Sequence, residues 1–193
     1  MTAPSLRETF ALIHADLRHR SDYERKPLTT LQVLKFLLNG AALSTVIFRL
    51  QIWCHTHHLQ AIGYLLRSFN AVVLTVHIDP DARIGPGLFI MHANYIWIGP
   101  RVNIGRNCLL AHQNSIGPSP FYAGDRPASR QGPTIGDGAR LGGGACVIGA
   151  ITLGRDVHIS MNTAVDSDFP DQAVLFGVPA KNLSRVRQCE EQV

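Results

Sequence analysis

The chain has little lysine, no run of basic residues and no cysteines at metal-binding or redox spacing. Its formal net charge is +4, yet lysine supplies only three of the eighteen basic residues, and the arginines are scattered along the chain. A continuous basic face for nucleic acid is therefore not expected. Neither CxxC spacing nor a disulfide framework is found among Cys54, Cys108, Cys146 and Cys189. This pattern predicts a protein of the reducing cytoplasm.

Long hydrophobic runs are also missing. Residues 1–25 are charged and contain no apolar segment of the length that a cleavable signal peptide needs, so we expect none. The most apolar segment, residues 31–54, is interrupted by Lys35, Asn39 and Arg49, which predicts a buried helix rather than a membrane span. A GxSxG motif is absent as well, so the sequence offers no nucleophilic serine of the hydrolase type.

What the sequence does contain is an aliphatic residue at every sixth position. A period of six is neither helical nor the alternation of a simple strand. It is typical of a parallel β-helix, in which each hexad supplies one short strand and one turn with its aliphatic side chain inward. The count slips by two places between Ile96 and Ile98 and is interrupted by residues 117–134. The predicted inward positions are Ile78, Ile84, Ile90, Ile98, Ile104, Leu110, Ile116, Ile135, Leu141, Val147, Leu153, Ile159 and Val165.

An α-helical region is predicted to precede the β-helix. Ser5 and Glu8 have the spacing of a capping box for a helix over residues 5–20. Thr29 or Thr30 can cap a second helix that Gly40 breaks, a shorter helix is expected over residues 60–69, and the β-branched residues 72–76 are expected to lead as a strand into the first hexad. The predicted organisation is a helical region (1–76), a β-helix catalytic domain (77–170) with a protruding loop (117–134), and a tail with a short basic helix (171–193).

Counting the hexads by threes predicts which residues share an edge. Three hexads close one triangular coil, so every third hexad lies on the same face, about 5 Å above the last. The third positions of the relevant hexads are His92, His112, Gly143 and Met161. These residues are expected to form one column, with two histidines at its lower end and the glycine-rich run of residues 142–145 above them.

The insertion at residues 117–134 is predicted to be a binding loop, because a loop of this length leaving a regular solenoid is usually functional or disordered. It carries Phe121 and Tyr122 together with Arg126 and Arg130, and it leaves the coil one corner after His112.

Several motifs resemble those of the serine O-acetyltransferases. They are His77-Ile78-Asp79-Pro80, Ile84-Gly85, His92-Ala93, Ile96-Trp97-Ile98-Gly99, Gly124-Asp125-Arg126, Gly177-Val178-Pro179-Ala180-Lys181 and, in the helical region, Phe48-Arg49-Leu50 with Trp53. The resemblance implies a left-handed parallel β-helix, a homotrimer or dimer of trimers, and acetyl-CoA as the donor to a small hydroxyl-bearing acceptor.

The resemblance also implies roles for individual residues. His92 matches the general base of that family, which deprotonates the acceptor hydroxyl, and an imidazole with a pKa near 6.5 suits this task. A backbone N–H or Arg126 could stabilise the oxyanion. His112 is an open candidate for catalysis, since the family usually has another polar residue there. The residues expected to contact acetyl-CoA are Gly142, Gly143, Gly144, Ala145, Met161, Arg126 and Lys181.

Departures from the family pattern bear on the acceptor. Met91 stands where the family has an aspartate that contacts the substrate amine, and the histidine that follows the family's loop Asp-Arg is replaced by Pro127. The family's Asp-Ile-His-Pro is inverted, so Asp79 is the candidate carboxylate for orienting His92. The residues expected at the acceptor site are Asp22, His77, Met91 and Asn94.

These losses favour an acceptor other than free serine, such as a sugar, a glycan precursor or a natural-product intermediate. True serine acetylation is the alternative, with Asp22 and Asp79 replacing the lost contacts. Two further hypotheses come from other classes: a γ-type carbonic anhydrase, with His92, His112 and a third histidine on zinc, and a non-catalytic trimeric scaffold. The acyltransferase motifs argue against both, and neither a metal nor a nucleic-acid partner is expected.

Overall fold

The computed structural model describes residues 4–119 and 130–184, which form a helical region followed by a parallel β-helix of about four coils. The helices are α1 (Leu6–Tyr23), α2 (Thr30–Leu37), α3 (Gly40–Thr56) and α4 (Gln60–Val72). The Arg126 loop and the predicted short C-terminal helix lie outside the described residues, apart from the ends of each segment.

The helix boundaries follow the capping signals of the sequence. The predicted capping box is confirmed, because the Ser5 side chain accepts from the Glu8 backbone while the Ser5 N–H donates to Glu8 Oε2 at 2.7 Å. Thr29 caps α2, and the predicted break lies at Asn39, whose side chain caps α3. The expected strand over residues 72–76 is wrong for Val72, which ends α4, and only Val76 belongs to a strand.

No single helix within the described ranges is both long and apolar enough to cross a membrane. Helices α2 and α3 together have the length and the apolar composition of a membrane span, but the two helices are bent by 89° relative to each other.

The aliphatic residue of each hexad lies in a short strand, and these strands stack into three sheets. The strands of sheet A are β1 (Val76–Ile78), β4 (Ile96–Ile98), β7 (Ser115–Gly117), β10 (Cys146–Ile148) and β13 (Ala164–Val165). Those of sheet B are β2 (Arg83–Ile84), β5 (Asn103–Ile104), β8 (Thr134–Ile135) and β11 (Thr152–Leu153). Those of sheet C are β3 (Phe89–Ile90), β6 (Leu109–Leu110), β9 (Arg140–Leu141), β12 (His158–Ile159), β14 (Val174–Phe176) and β15 (Lys181–Asn182).

The predicted inward positions form the core. They are buried along the whole β-helix, apart from Ile84, which is half-buried and packs against the same cluster. Among the described residues, all strand pairs are parallel except β14 with β15. Sheet C continues through these two strands, past residue 170, where the catalytic domain was predicted to end. Ala41 and Phe48 of α3 join this cluster, and the helical region therefore closes one end of the β-helix.

Candidate active site

His92 lies in an enlarged corner between sheets C and A. Ile90 pairs with Leu110, and Ile98 pairs with Ile116. The first coil therefore uses two more residues than the second to turn the same corner. His92 stands in this enlargement and is exposed.

The hydrogen bonds between coils correct the predicted column. The N–H of Gln113 donates to the carbonyl of Asn94 at 2.7 Å, and the next coil repeats this contact from Gly144 to His112 at 2.9 Å. Asn94 thus lies beneath His112, and the expectation that His92 heads the column is wrong by two residues. The extra residues push His92 out of the regular stack. The observed column is Asn94, His112, Gly143 and Met161.

The two histidines are nonetheless neighbours. The ring centroids of His92 and His112 are 6.0 Å apart, with an interplanar angle of 61°. Within residues 4–119 and 130–184, no group hydrogen-bonds to a ring nitrogen of either histidine. His112 is half-buried, whereas His92 is exposed. Both imidazoles are therefore available to a ligand at this corner.

Gly143 has a steric reason to be glycine. A Cβ atom at this position would lie 2.6 Å from Cε1 and 2.7 Å from Nε2 of His112, closer than real contacts allow. The His112 ring therefore lies against the backbone of the coil above. Met161, one coil further up, is 70% exposed and forms the top of the column.

The rest of the glycine-rich run has structural roles. Gly144 has a φ of +73°, and a Cβ there would meet the Asn162 side chain at 2.1 Å. A Cβ at Gly142 would approach the backbone of Met161 at 2.8 Å. Ala145 is fully buried, so its methyl group packs in the core and does not line the edge where a donor contact was expected. Lys181, in β15, is exposed.

Thr75 holds the enlarged corner in place, a role that the sequence analysis missed. Its hydroxyl donates to the carbonyl of Ala93 at 3.0 Å and accepts from the N–H of Tyr95 at 3.2 Å. The available signal was a hydroxyl residue just before the first hexad, directly below the two-residue slip.

Asp79 makes contacts other than the predicted one. Its Oδ1 accepts from the N–H of Asp81 at 2.9 Å, and its Oδ2 lies 3.7 Å from the guanidinium of Arg67. Within the described part of the chain, no hydrogen bond or ion pair joins Asp79 to His92. The expectation that Asp79 orients His92 therefore has no contact to support it.

The same Arg67 contacts His77. Its Nη2 lies 3.0 Å from His77 Nε2. Burial lowers the pKa of His77, the charge of Arg67 lowers it further, and Asp79 opposes both effects. A neutral His77 accepts from Arg67 through Nε2 and carries its proton on Nδ1. The inverted motif thus builds an Arg67–His77–Asp79 cluster on the outside of the first coil.

The end of α1 docks beside the strand that leads to His92. Arg20 donates to the carbonyl of Ile90 at 3.1 Å, and the rings of Tyr23 and Phe89 lie 5.1 Å apart. Asp22 is exposed on the same last turn. Met91, which precedes His92, is half-buried.

A metal site is not formed by the residues that the structure describes. No three His, Cys, Asp or Glu side chains among them come together as a ligand set. His55, His57 and His58 lie at the end of α3, where the His57 ring stacks on Trp53 at 4.6 Å.

Comparison with known proteins identifies similar curated sequences and similar solved structures. No protein-family model matches the chain. A serine acetyltransferase of Helicobacter pylori is 33% identical over 140 residues, which is 72% of this chain and 79% of the relative.

Solved structures show the same likeness. The serine acetyltransferase of Neisseria gonorrhoeae in complex with serine has a TM-score of 0.74 at 28% identity and covers 91% of this chain and 69% of its own. That of Brucella abortus in complex with coenzyme A has a TM-score of 0.78 at 25% identity and covers 92% of this chain and 68% of its own. The chain belongs to the serine acetyltransferase family.

Proposed function

We propose that the protein transfers the acetyl group of acetyl-CoA to the hydroxyl of serine, with His92 as the general base. The observation that carries this proposal is the His92 imidazole itself. It is exposed in an enlarged corner, and no protein group within the described residues occupies its ring nitrogens. An imidazole in this state can take the proton of a bound hydroxyl as the hydroxyl attacks a thioester.

The donor lies along the observed column. Asn94, His112, Gly143 and Met161 form a continuous edge that leads away from His92, long enough to contact the extended arm of acetyl-CoA. Gly142 and Gly144 flank Gly143 on this edge, and we assign Lys181 and Arg126 to the same donor site. The solved coenzyme A complex of a family member supports acetyl-CoA as the donor.

Serine as the acceptor is supported by the relatives. Both the Helicobacter pylori relative and the Neisseria gonorrhoeae structure are serine acetyltransferases, and the latter holds serine. These comparisons favour the serine alternative over the non-serine acceptor that the sequence analysis expects. Asp22, exposed at the end of α1, is the carboxylate that we assign to the substrate amine.

A hydroxyl acceptor without an amine is the second candidate. It is favoured by one observation: Met91, a thioether, precedes His92 where the family pattern has an aspartate, and Asp79 is engaged by Arg67 and Asp81. A thioether cannot neutralise an ammonium group, so an acceptor such as a sugar fits this side of the corner.

Assembly into a homotrimer or a dimer of trimers is proposed as well. The support is the apolar outer face of α4, where Leu65 is 71% and Val72 is 78% exposed. Sedimentation of the purified chain tests this point.

One experiment tests the reaction and the acceptor together. Purified protein is incubated with acetyl-CoA and, in separate reactions, with serine, a panel of sugars, or no acceptor, and release of the CoA thiol is measured. We expect serine-dependent release that is lost in His92→Ala. Release with sugars but not with serine would establish the second candidate. Absence of release with every acceptor, or full activity of His92→Ala, would contradict the proposed mechanism.

A further inference from the structure

We propose that His112 is a second active-site imidazole, whose ring N–H donates a hydrogen bond to the thioester carbonyl oxygen as that oxygen becomes negatively charged. This inference rests on the proposed acetyl transfer at His92 and assigns the oxyanion donor to a described residue. It holds for serine and for any other hydroxyl acceptor, because the oxyanion forms on the donor.

The position of His112 fits this role. It lies in the coil directly above the enlarged corner, stacked on Asn94 and beneath Gly143, and its ring is a neighbour of the His92 ring. The two ring centroids are 6.0 Å apart, so one small group bound at this corner can contact both rings. A carbonyl carbon approached by a hydroxyl held at His92 therefore has its oxygen within reach of His112.

The His112 ring is also held in place. Cε1 and Nε2 lie so close to the backbone of Gly143 that any side chain there would displace them, at 2.6 and 2.7 Å from an added Cβ. A donor that stabilises charge in a transition state is effective when it is already oriented before the reaction. Gly143 thus orients His112 through packing, which explains why the edge has a glycine immediately above a histidine.

A purely structural histidine would be expected to have partners. Asn114, two residues further along the same corner, is fully buried, and its side-chain amide donates to the carbonyl of Gly142 at 2.7 Å. The ring nitrogens of His112, by contrast, meet no hydrogen-bonding group among residues 4–119 and 130–184. The side-chain N–H of Asn114 is therefore engaged by the backbone of the coil above, whereas the imidazole nitrogens of His112 are left for a ligand.

The reaction balances with both imidazoles in their assigned roles. The acceptor oxygen forms a bond to the thioester carbon while its proton passes to His92, and the carbonyl electron pair moves onto oxygen, where the His112 N–H stabilises it. Collapse of this intermediate re-forms the carbonyl and breaks the C–S bond, and the His92 proton passes to the departing thiolate. His112 neither gains nor loses a proton in this sequence.

Kinetics of His112 variants test the inference. We expect His112→Ala to lower kcat by about 100-fold, the effect of removing one oxyanion donor. The affinity for CoA itself, measured by calorimetry, should fall much less than kcat, because CoA has no acetyl oxygen for the His112 N–H to stabilise. His112→Gln should retain more activity than His112→Ala, since its amide can donate. His158→Gln, on the outer face of sheet C, is the matched control and should equal the wild type.

A double-mutant cycle separates orientation from general damage. Gly143→Ala should lower kcat in the wild-type background but cause no further loss in His112→Ala, because both changes act through the same ring. Equal losses in both backgrounds would overturn the orienting role. A His112→Ala variant with wild-type kcat would overturn the proposal, and so would a variant that loses CoA affinity as much as it loses kcat. A wild-type protein that is inactive with every acceptor would instead contradict the proposed function.

Discussion

The carboxylate of Asp16 and the guanidinium of Arg49 form a bidentate ion pair that is buried between the helices and the first coil. The two N–O distances are 2.9 and 3.0 Å, and both side chains are almost completely shielded from solvent. Arg49 also donates to the carbonyls of Ile84 and Gly85, while Asp16 accepts from the N–H groups of Gly87 and Leu88. This pair therefore joins α1 and α3 to the turn that precedes β3 and His92.

Loss of one partner should be costly. Replacing Arg49 with Met, or Asp16 with Leu, leaves the other charge buried without its counterion, and we expect a loss of about 3–5 kcal/mol in the free energy of unfolding. The double variant should lose less than the sum of the single variants, because it leaves no uncompensated charge. Urea unfolding of the four proteins measures this, and additive losses would show that the two side chains act independently.

Met91→Asp should improve the use of serine. The new carboxylate would stand beside His92 and form a charge-assisted hydrogen bond to the substrate amine, which contributes about 1.5–3 kcal/mol and should lower the KM for serine by about 10- to 150-fold. The KM for acetyl-CoA should not change. Met91→Asn is the control, because asparagine has nearly the same size and shape as aspartate but carries no charge. An unchanged KM for serine in Met91→Asp would show that no amine reaches this position.

His77 should make stability depend on pH. Because burial and Arg67 lower the pKa of His77, the folded protein binds a proton here less readily than the unfolded chain does. At about pH 8 both states are neutral at this site, and as the pH falls through about 6.5 only the unfolded chain gains the proton. Wild-type protein should therefore lose stability on acidification relative to His77→Gln, which keeps an acceptor for Arg67 but does not titrate.

Urea unfolding of both proteins between about pH 8 and about pH 5.5 measures the difference, in which the contributions of the other histidines cancel. Parallel stability curves for the two proteins would contradict the shifted pKa of His77.

Two glycines should respond to alanine in opposite directions. A Cβ at Gly136 would lie 2.4 Å from the carbonyl oxygen of Gly154 in the next coil, and this backbone cannot move aside. Gly136→Ala should therefore cost about 1–3 kcal/mol. Gly63 lies inside α4, where a Cβ would have no neighbour closer than 3.6 Å, so Gly63→Ala should stabilise the protein by about 0.5–1 kcal/mol. Thermal unfolding of the two variants measures these changes in stability. Equal changes for Gly136→Ala and Gly63→Ala would argue against the close stacking of the coils.

Local patterns predicted the elements that depend on local physics. The six-residue period identified the inward side chains from Ile78 to Val165, because a coil repeats the same environment at each hexad. The capping box at Ser5 and the break near Gly40 were readable for the same reason, as they depend only on neighbours along the chain.

The active corner was predicted less completely. Sequence counting brought His92 and His112 together, but it stacked His92 directly under His112, where the structure has Asn94. Two extra residues can be accommodated at any position of a corner. Only the hydrogen bonds between coils show which residues are displaced from the stack. The contacts of Asp79 with Arg67 were missed because Arg67 comes from α4, outside the hexad count.

The sequence by itself determined the β-helix, the family and the presence of two histidines at one corner, since these depend on periodicity and on short motifs. Tertiary structure alone decided that His112 lies against Gly143, that burial and the charge of Arg67 hold the pKa of His77 below its ordinary value, and that Asp16 and Arg49 tie the helices to the first coil. Each of these relationships joins residues from separate coils or helices, and their distances depend on how those elements pack in three dimensions.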